Sequence, residues 1–343
     1  MHRWTRPLTV ATFALFALFT LLAAAGAAVA QPSPRPLQPI AVITFDGGWN
    51  LPLWAAQRQG FFEANGISVQ VHYTPNSAAL VAGLFDGRYQ IALATMDNFI
   101  AYQEGQGEIK VPDAPDLFAF MGGDSGFLSV MASPSVKSIA DLKGKTLSVD
   151  AMTNGLAFVL RELVARGGVG ETEVSYVRAG ATSNRYRELL AGKHDATLLR
   201  TPFELLGQER GLNLLATAEK LGPYEGTVGA ARRSWAAAND AAMLGFLRAY
   251  RAGVDWLLVP GNREIAEALL VANIRDMTPA LARQSYDKLL DPESGIKRDL
   301  ALDMAGIRTV LALRSKYGAP QKMLTDPEKY IDASYHRRAF APK

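Results

Sequence analysis

The sequence predicts an α/β fold in which two similar α/β units are followed by a helical tail. Short apolar strands alternate with helical segments from Ile40 to about Ala216, and this alternation favours a parallel sheet. Residues 77–93 and 183–198 repeat one plan: a polar cap, a leucine-containing helix, a glycine with a basic residue, and a strand. The repeat indicates two related units, although chance repetition within a single unit is the alternative. From Ser234 onward the pattern is helical.

Seven strands are predicted in the first part of the chain, with one further short strand at residues 228–230. The seven are Ile40–Phe45, Ile67–Tyr73, Ile91–Thr95, Leu117–Met121, Thr146–Asp150, Val174–Val177 and Ala196–Leu199. The first helix is expected to begin after Asn50 as N-cap, with Pro52 in its first turn, where a missing N–H group leaves no bond unmade. Residues 60–66 close that helix.

The tail is predicted to contain four helices, separated by proline and glycine. They span residues 236–258, 263–272, 279–289 and 296–317. A loop at residues 221–226 separates this tail from the α/β part.

Composition excludes several classes of protein. The chain has 343 residues, of which 49% are hydrophobic and 20% charged, so it is globular and long enough for roughly two domains. The formal net charge is +3, and it falls to +1 once Arg3 and Arg6 are removed with the N-terminal segment. A sequence-independent nucleic-acid binder would carry a clear basic excess, so no nucleic-acid partner is expected.

Residues 1–30 are typical of a cleavable signal peptide. The start is basic, Leu8–Leu22 is apolar apart from three threonines, and Ala28-Val29-Ala30 fits the small-residue rule for cleavage before Gln31. The alternative is an uncleaved membrane anchor, for which the apolar stretch is short. Residues 31–39 then form an expected proline-rich linker.

The sequence contains no cysteine. Disulfides, thiolate catalysis and cysteine-ligated metals are therefore excluded, and so is a lipid anchor on an N-terminal cysteine. A secreted protein without lipid and with this kind of signal is expected in the periplasm, and full export stays an alternative.

The usual marks of catalysis are missing from the sequence. The four histidines include no pair at His-x-x-x-His spacing, so no metal site is expected. Residues 123–126 resemble a nucleophile elbow but miss its spacing by one position. No glycine-rich loop of a nucleotide-binding type follows a strand. The sequence therefore predicts a protein that is not an enzyme and holds no cofactor.

Five polar loops connect the end of a predicted strand to the start of a helix, which is where open α/β sheets bind ligands. Free N–H groups at such helix starts favour polar oxygens or anions. The candidate ligand-binding residues on these loops are Asp46, Trp49, Asn50, Asn76, Ser77, Asp97, Asn98, Thr153, Asn154, Thr182 and Ser183. Asp124 and Tyr224, in glycine-rich loops elsewhere, complete the set. The alternative for each polar residue is ordinary helix capping.

The charged and aromatic residues near the strand ends do not identify the ligand. Asp46, Asp97 and Asp124 are acidic, whereas basic residues near the later strand ends are Arg178, Arg185 and Arg200. Acids on one wall and bases on the other suit a zwitterion or a polar heterocycle better than a bare anion. Trp49 is expected either to stack on a ligand ring or to be buried at the edge of a unit.

Three segments resemble one known family. They are residues 43–67, with Gly60-Phe61-Phe62-Glu63 and Gly66-Ile67, residues 139–149, and Leu189–Ala196. Together these segments resemble the periplasmic solute-binding proteins of ABC importers of the nitrate/sulfonate/taurine and thiamine-precursor type. Pyrimidine-synthesising relatives carry a cysteine-rich motif that is absent here.

This resemblance implies a type II periplasmic binding protein fold, in which two α/β lobes are joined by two crossover segments. Lobe one is expected at residues 40–121 and 226–343, and lobe two at residues 128–216. The hinge crossings are expected at residues 122–127 and 217–225, which contain glycines suited to a hinge.

The resemblance also implies a function and partners. The protein is expected to bind a small solute between its lobes, as a monomer, and to deliver it to an ABC permease coupled to an ATPase. The alternatives are an enzyme on the same fold, for pyrimidine-precursor synthesis or desulfination, and a ligand sensor for a signalling partner.

Overall fold

A computed structural model describes residues 36–111 and 116–341 of the chain. The expected signal peptide and residues 31–35 of the expected linker lie outside the described residues. Within the described residues, no helix combines the length and apolar character needed to cross a membrane.

Ten strands are found in the described part of the chain. They are β1 (Gln38–Thr44), β2 (Ile67–Tyr73), β3 (Ile91–Thr95), β4 (Leu117–Gly122), β5 (Leu128–Ala132), β6 (Thr146–Val149), β7 (Ser175–Arg178), β8 (Ala196–Arg200), β9 (Asn213–Thr217) and β10 (Thr227–Arg232). Strands β5 and β9 were not predicted from the sequence.

The same residues contain thirteen α-helices. They are α1 (Leu51–Arg58), α2 (Phe61–Ala64), α3 (Ser77–Phe85), α4 (Met96–Gln103), α5 (Gly155–Arg166), α6 (Thr182–Leu190), α7 (Phe203–Glu209), α8 (Arg233–Ala238), α9 (Asp240–Leu257), α10 (Arg263–Asn273), α11 (Pro279–Leu289), α12 (Met304–Tyr317) and α13 (Ser334–Phe340).

The strands form two five-stranded sheets of the same design. The order is β2-β1-β3-β10-β4 in the first sheet and β7-β6-β8-β5-β9 in the second. In the first sheet β1 runs parallel to β2 and β3, and β10 runs antiparallel to β3 and β4. In the second sheet β6 is parallel to β7 and β8, and β5 is antiparallel to β8 and β9. Both sheets are mixed: the predicted parallel pairing is found for β1 with β2 and β3 and for β6 with β7 and β8, but not for the crossing strands β5 and β10.

The antiparallel strand inside each sheet is the one that arrives from the other sheet. Residues 123–127 connect β4 to β5, and β5 begins with Leu128 opposite Arg200, the last residue of β8. Residues 218–226 connect β9 to β10, which enters the first sheet in the same way at the end of β3. Each crossing strand enters where the parallel strands end, and it must therefore run against them.

Three predicted boundaries are wrong. The helix expected over residues 236–258 is broken at Asn239, where α8 ends and α9 begins. The helix expected over residues 296–317 begins only at Met304, because residues 296–303 run along the crossing segments, where the N–H of Lys297 donates to the carbonyl of Gly123. The linker expected to end at residue 39 ends earlier, since β1 begins at Gln38 and pairs with β2.

The helices of the tail pack against both sheets' helical layers. α9 packs on α1 and α2 beside the first sheet. α12 packs between α4 of the first unit and α5 of the second, and α11 contacts α7 of the second unit. The tail therefore links the two units on two sides, in addition to the crossing segments.

Candidate functional site

The ends of parallel strands from both sheets meet at one small cavity. Phe45 follows β1, Thr95 ends β3, Asp150 follows β6 and Arg200 ends β8. The other lining residues lie on turns and helices that begin at this edge: Trp49, Asn98, Asn154, Leu156, Thr182 and Arg185. Since ligands bind at the carboxyl ends of strands in open α/β sheets, this cavity is the candidate binding site.

Six of the residues named from the sequence lie at or beside this cavity. Trp49, Asn98, Asn154 and Thr182 line it. Asp46 and Ser183 lie on the same two loops as Trp49 and Thr182, and the Ser183 hydroxyl donates to Oδ1 of Asp46 across the cleft at 2.9 Å.

Three other candidates hold the loops in shape. Nδ2 of Asn50 donates to the carbonyl oxygens of Phe45 and Gly47, at 2.7 and 3.1 Å. Asn76 is the N-cap of α3, and its Oδ1 accepts from the N–H of residue 79. The N–H of Ser77 donates to Oδ2 of Asp150 at 3.2 Å, and so supports a residue that does line the cavity.

The last four candidates lie behind the cavity or away from it. Asp97 forms a buried ion pair with Arg314, and Thr153 donates from its N–H and hydroxyl groups to the Glu108 carboxylate. The Asp124 carboxylate is held by Arg200, and Tyr224 borders a separate hollow beside the crossing segments. That hollow is larger than the cavity, but it is lined by the crossing segments, the end of β9 and α11, and by none of the loops that follow β1, β3, β6 and β8, so it is not the candidate site.

Trp49 is buried and also lines the cavity. Its side chain is 2% exposed, and the guanidinium carbon of Arg200 lies 4.1 Å from the ring centroid. Nη2 of Arg200 donates to both oxygens of Asp124 at 3.0 and 3.1 Å, and its Nε donates to the carbonyl of Gly126. None of these bonds uses Nη1 of Arg200. Arg200, its charge neutralised by Asp124, therefore lies between the cavity and the first crossing segment.

Arg185 is the second cation of the wall, and it is 2% exposed. Nη1 donates to the carbonyl of Gly180, and Nη2 donates to the carbonyl of Leu198 and the hydroxyl of Thr182. Burial lowers the pKa of Arg185 to about 10, and the charge of Asp150 opposes this shift. The guanidinium therefore remains charged at neutral pH and ties α6 to β8.

Asp150 is the acid of the cavity wall, and it is 7% exposed. Its Oδ2 accepts from the N–H of Ser77 and from Nδ2 of Asn154, each at 3.2 Å. Burial raises the pKa of Asp150, whereas the charge of Arg185 and the bonds from Ser77 act in the opposite direction. Oδ2 thus accepts hydrogen bonds from the protein itself, whereas Oδ1 has no hydrogen-bond partner among the described residues.

The loops of the two sheets touch across the cavity, so the structure is closed. Nδ2 of Asn154 donates to Oδ1 of Asn98 at 2.9 Å, and the N–H of Ala181 donates to the carbonyl of Pro75 at 2.9 Å. At the rim Nη2 of Arg178 lies 3.0 Å from Oε2 of Glu108. Each of these bonds joins the first unit to the second.

Part of the cavity wall is formed by residues that were not among the candidates predicted from the sequence. Phe45, Thr95, Asp150 and Leu156 were not named, and Arg185 and Arg200 were named only as basic residues near strand ends. Asp150 carried a signal that could have identified it, because it directly follows β6 in the second sheet, and Asp46 lies two residues after β1 in the first.

Solved structures of three proteins share this fold over most of the chain. The periplasmic nitrate-binding protein NrtA from Synechocystis PCC 6803 matches with a TM-score of 0.73 at 12% identity, covering 88% of each chain. The ligand-binding component of an ABC-type import system from Staphylococcus aureus, solved with zinc bound, matches at 0.70 and 12% identity, covering 88% of this chain and 99% of that one. The alkanesulfonate-binding protein SsuA from Xanthomonas axonopodis pv. citri, bound to MOPS, matches at 0.67 and 17% identity, covering 85% and 96%.

The comparison with curated proteins gives no match. A family model described as NMT1/THI5 like matches residues 50–260, which is more than half of the chain. The resemblance and the fold inferred from the sequence are therefore confirmed. The chain belongs to the NMT1/THI5-like family and has the fold of the periplasmic binding proteins.

Proposed function

We propose that this protein is the solute-binding component of an ABC importer and captures a small polar organic or anionic solute between two lobes. One observation carries the proposal: the cavity is walled by strand ends of both sheets, so neither sheet holds a complete site. The proteins of known structure that share this fold include a nitrate-binding protein, an alkanesulfonate-binding protein and a component of an ABC-type import system, which supports the same role.

Binding is coupled to closure of the lobes. Lobe one comprises residues 40–121 and 226–343, and lobe two comprises residues 128–216. The hinge crossings are residues 122–127 and 217–225. A solute that touches both walls binds the closed form better than the open form, and only that difference in affinity shifts the population. The closed form is then the signal that the permease recognises.

The role is binding without catalysis. Both arginines of the cavity are held by bonds to the protein itself, and Asn98 and Asn154 bond to each other. This arrangement supports a wall that fixes shape and polarity, in contrast to a nucleophile with its base.

The protein works in the periplasm as an unlipidated monomer that delivers its solute to the permease and is coupled, through the permease, to an ATPase. Support comes from the signal-like residues 1–30, from the absence of cysteine and from the periplasmic proteins that share the fold. N-terminal sequencing of the mature protein is expected to begin at or near Gln31. Recovery of the full-length chain in membranes contradicts this part of the proposal.

A thermal-shift screen tests the function. Sulfonates, carboxylates, nitrate, amino acids and pyrimidines are added to the purified protein. A solute at one hundred times its Kd is expected to stabilise the protein by about 2.7 kcal/mol. Small-angle scattering with that solute is expected to give a smaller radius of gyration. If no solute of these classes stabilises the protein and the radius of gyration does not change, the proposed function is contradicted.

A further inference from the structure

One polar atom of the cavity wall has no partner. Of the side chains that line the cavity within the described residues, only Asp150 has a buried oxygen or nitrogen without a hydrogen bond, namely Oδ1. Its other oxygen, Oδ2, is fixed by Ser77 and Asn154. A buried carboxylate oxygen without a donor is unfavourable, so its retention in a cavity points to a donor that arrives with the ligand.

Both arginines of the cavity wall already have hydrogen-bond partners within the protein. Arg200 is neutralised by Asp124 through two bonds, and a third bond from its Nη2 reaches the hydroxyl of Thr227 at 2.9 Å. Arg185 donates to two backbone carbonyls, and its charge is offset by Asp150. The formal charges of these four side chains sum to zero, which disfavours burial of a solute with a net charge of either sign.

The amide donors of the wall are also used within the protein. Nδ2 of Asn98 donates to Thr95 at 3.2 Å, and Nδ2 of Asn154 donates to Asn98 and Asp150. The cavity wall therefore combines an unpaired acceptor, Oδ1 of Asp150, with a donor that the bonds to Asp124 and Gly126 do not use, Nη1 of Arg200. Phe45, Trp49 and Leu156 supply an apolar surface beside that acceptor for the body of an organic molecule.

We propose that the solute is a small organic molecule with a protonated amine or another cationic N–H group, and that Oδ1 of Asp150 receives this group. The inference rests on the proposed function and narrows its ligand to zwitterions, in which the charge of the amine is balanced within the solute. A carboxylate or sulfonate elsewhere on a zwitterion can face Nη1 of Arg200, which the bonds to Asp124 leave out.

Asp150→Asn separates this role from a structural one. The amide oxygen of the variant can keep both bonds that Oδ2 receives, and its NH₂ group then occupies the place of Oδ1. The fold keeps its contacts, whereas the polarity at the ligand is reversed from acceptor to donor. Asp195→Asn is the matched control, because Oδ2 of Asp195 likewise accepts from a backbone N–H, that of Thr146 at 2.9 Å, away from the cavity.

The test uses pairs of probes that differ in the amine: taurine and ethanesulfonate, β-alanine and propanoate, benzylamine and benzyl alcohol, with nitrate and sulfate as bare anions. Melting temperature and calorimetric Kd are measured for the wild type, Asp150→Asn and Asp195→Asn. We expect an amine member to bind at least ten-fold more tightly than its partner. We expect Asp150→Asn to weaken that binding roughly thirty-fold or more, as for loss of one partner of a buried charge pair, and Asp195→Asn to leave it unchanged.

The outcomes separate the inference from the proposed function. Binding of amine-free members alone, or retained amine binding in Asp150→Asn, overturns the inference and leaves the function standing. Binding of no probe counts against both. Each variant is compared with its own ligand-free melting temperature, because loss of the Asp150 charge that offsets the buried Arg185 is itself expected to lower that of Asp150→Asn.

Discussion

Nδ2 of Asn154 donates a hydrogen bond of 2.9 Å to Oδ1 of Asn98, and this bond joins the start of α5 to the first turn of α4 across the cleft. The residues next to this pair, Gly155 and Asp97, are packed so closely that a Cβ at position 155 would overlap Cβ and Cγ of Asp97. The closed form therefore depends on glycine at position 155.

Gly155→Ala is expected to oppose closure without touching the cavity. The added methyl group meets the base of a side chain that Arg314 holds in place, so α5 must move away from α4. Binding of any solute that requires the closed form is expected to weaken at least ten-fold. Scattering at saturating solute is expected to give a larger radius of gyration than for the wild type.

Gly261→Ala is the control for this variant. Position 261 lies on the surface, and a Cβ there meets nothing within 4 Å. It is expected to close and bind as the wild type does. If Gly155→Ala binds and contracts equally well, the contact between α4 and α5 is not a feature of the bound state.

Ser183→Ala is expected to weaken the closed form by one hydrogen bond. The Ser183 hydroxyl donates to Asp46 in the other unit at 2.9 Å, and this contact is lost when the lobes separate. A typical net value of about 1 kcal/mol corresponds to a roughly five-fold weaker solute affinity, with the melting temperature of the ligand-free protein nearly unchanged. Ser135→Ala, at an exposed serine pair, serves as the control. Equal affinities for both variants would remove Ser183 from the closing contacts.

The alternation of strands and helices predicted the fold because it depends on local patterns. Strands β2 and β3 and helix α11 were predicted with the bounds that they have. The predictions failed where contacts between distant segments decide the structure. β5 and β10 run antiparallel because the chain crosses between sheets, and residues 296–303 are not helical because they pair with the first crossing.

The candidate site was predicted in position more than in detail. The loops at the strand ends meet as expected, but the role of a polar side chain there depends on its partner. Asp97 and Asp150 both lie just after such strands. Asp97 differs because it forms a buried ion pair with the distant residue Arg314. No spacing in the sequence links residues 97 and 314, so Asp97 could not be told from a ligand contact.

Asp97→Ala is expected to destabilise the ligand-free protein, in contrast to a residue that only contacts solute. Oδ1 and Oδ2 of Asp97 accept from Nε and Nη2 of Arg314, each at 2.6 Å, and both side chains are at most 1% exposed. Removing one partner leaves a buried guanidinium, which typically lowers the free energy of unfolding by about 3–5 kcal/mol. Urea denaturation measures the change.

The matched control is Asp86→Ala. Asp86 also pairs with an arginine, Arg88, but the two side chains are 46% and 63% exposed. Exposed pairs contribute about 0–1 kcal/mol, so this variant is expected to unfold close to the wild type. Similar losses in the two variants would contradict the structural role of the pair between Asp97 and Arg314.

Glu225 in the second crossing segment is expected to make stability depend on pH. Its side chain is fully buried, and its Oε2 accepts from Nζ of Lys297 at 2.6 Å and from the N–H of Asp303 at 2.8 Å. Burial raises the pKa of Glu225 to about 7, although Lys297 and the Asp303 N–H oppose this shift, while the charge of Asp124 adds to it. The folded protein thus keeps a proton that the unfolded chain, with a pKa of 4.5, has already released.

The free energy of unfolding of the wild type, relative to Glu225→Gln, is expected to fall as the pH rises from 4.5 to about 7. Below pH 4.5 both states bind the proton, so the contribution is fully present; above about 7 it is lost and the difference is constant. The slope is at most about 1.4 kcal/mol per pH unit, and the whole change is about 3 kcal/mol. Urea titrations of both proteins at half-unit steps measure it, with the exposed Glu264→Gln as control. A difference that does not vary with pH, or one that grows in the wild type's favour as the pH rises, would show that Glu225 is ionised in the fold and that the crossing segment is held by its ion pair with Lys297.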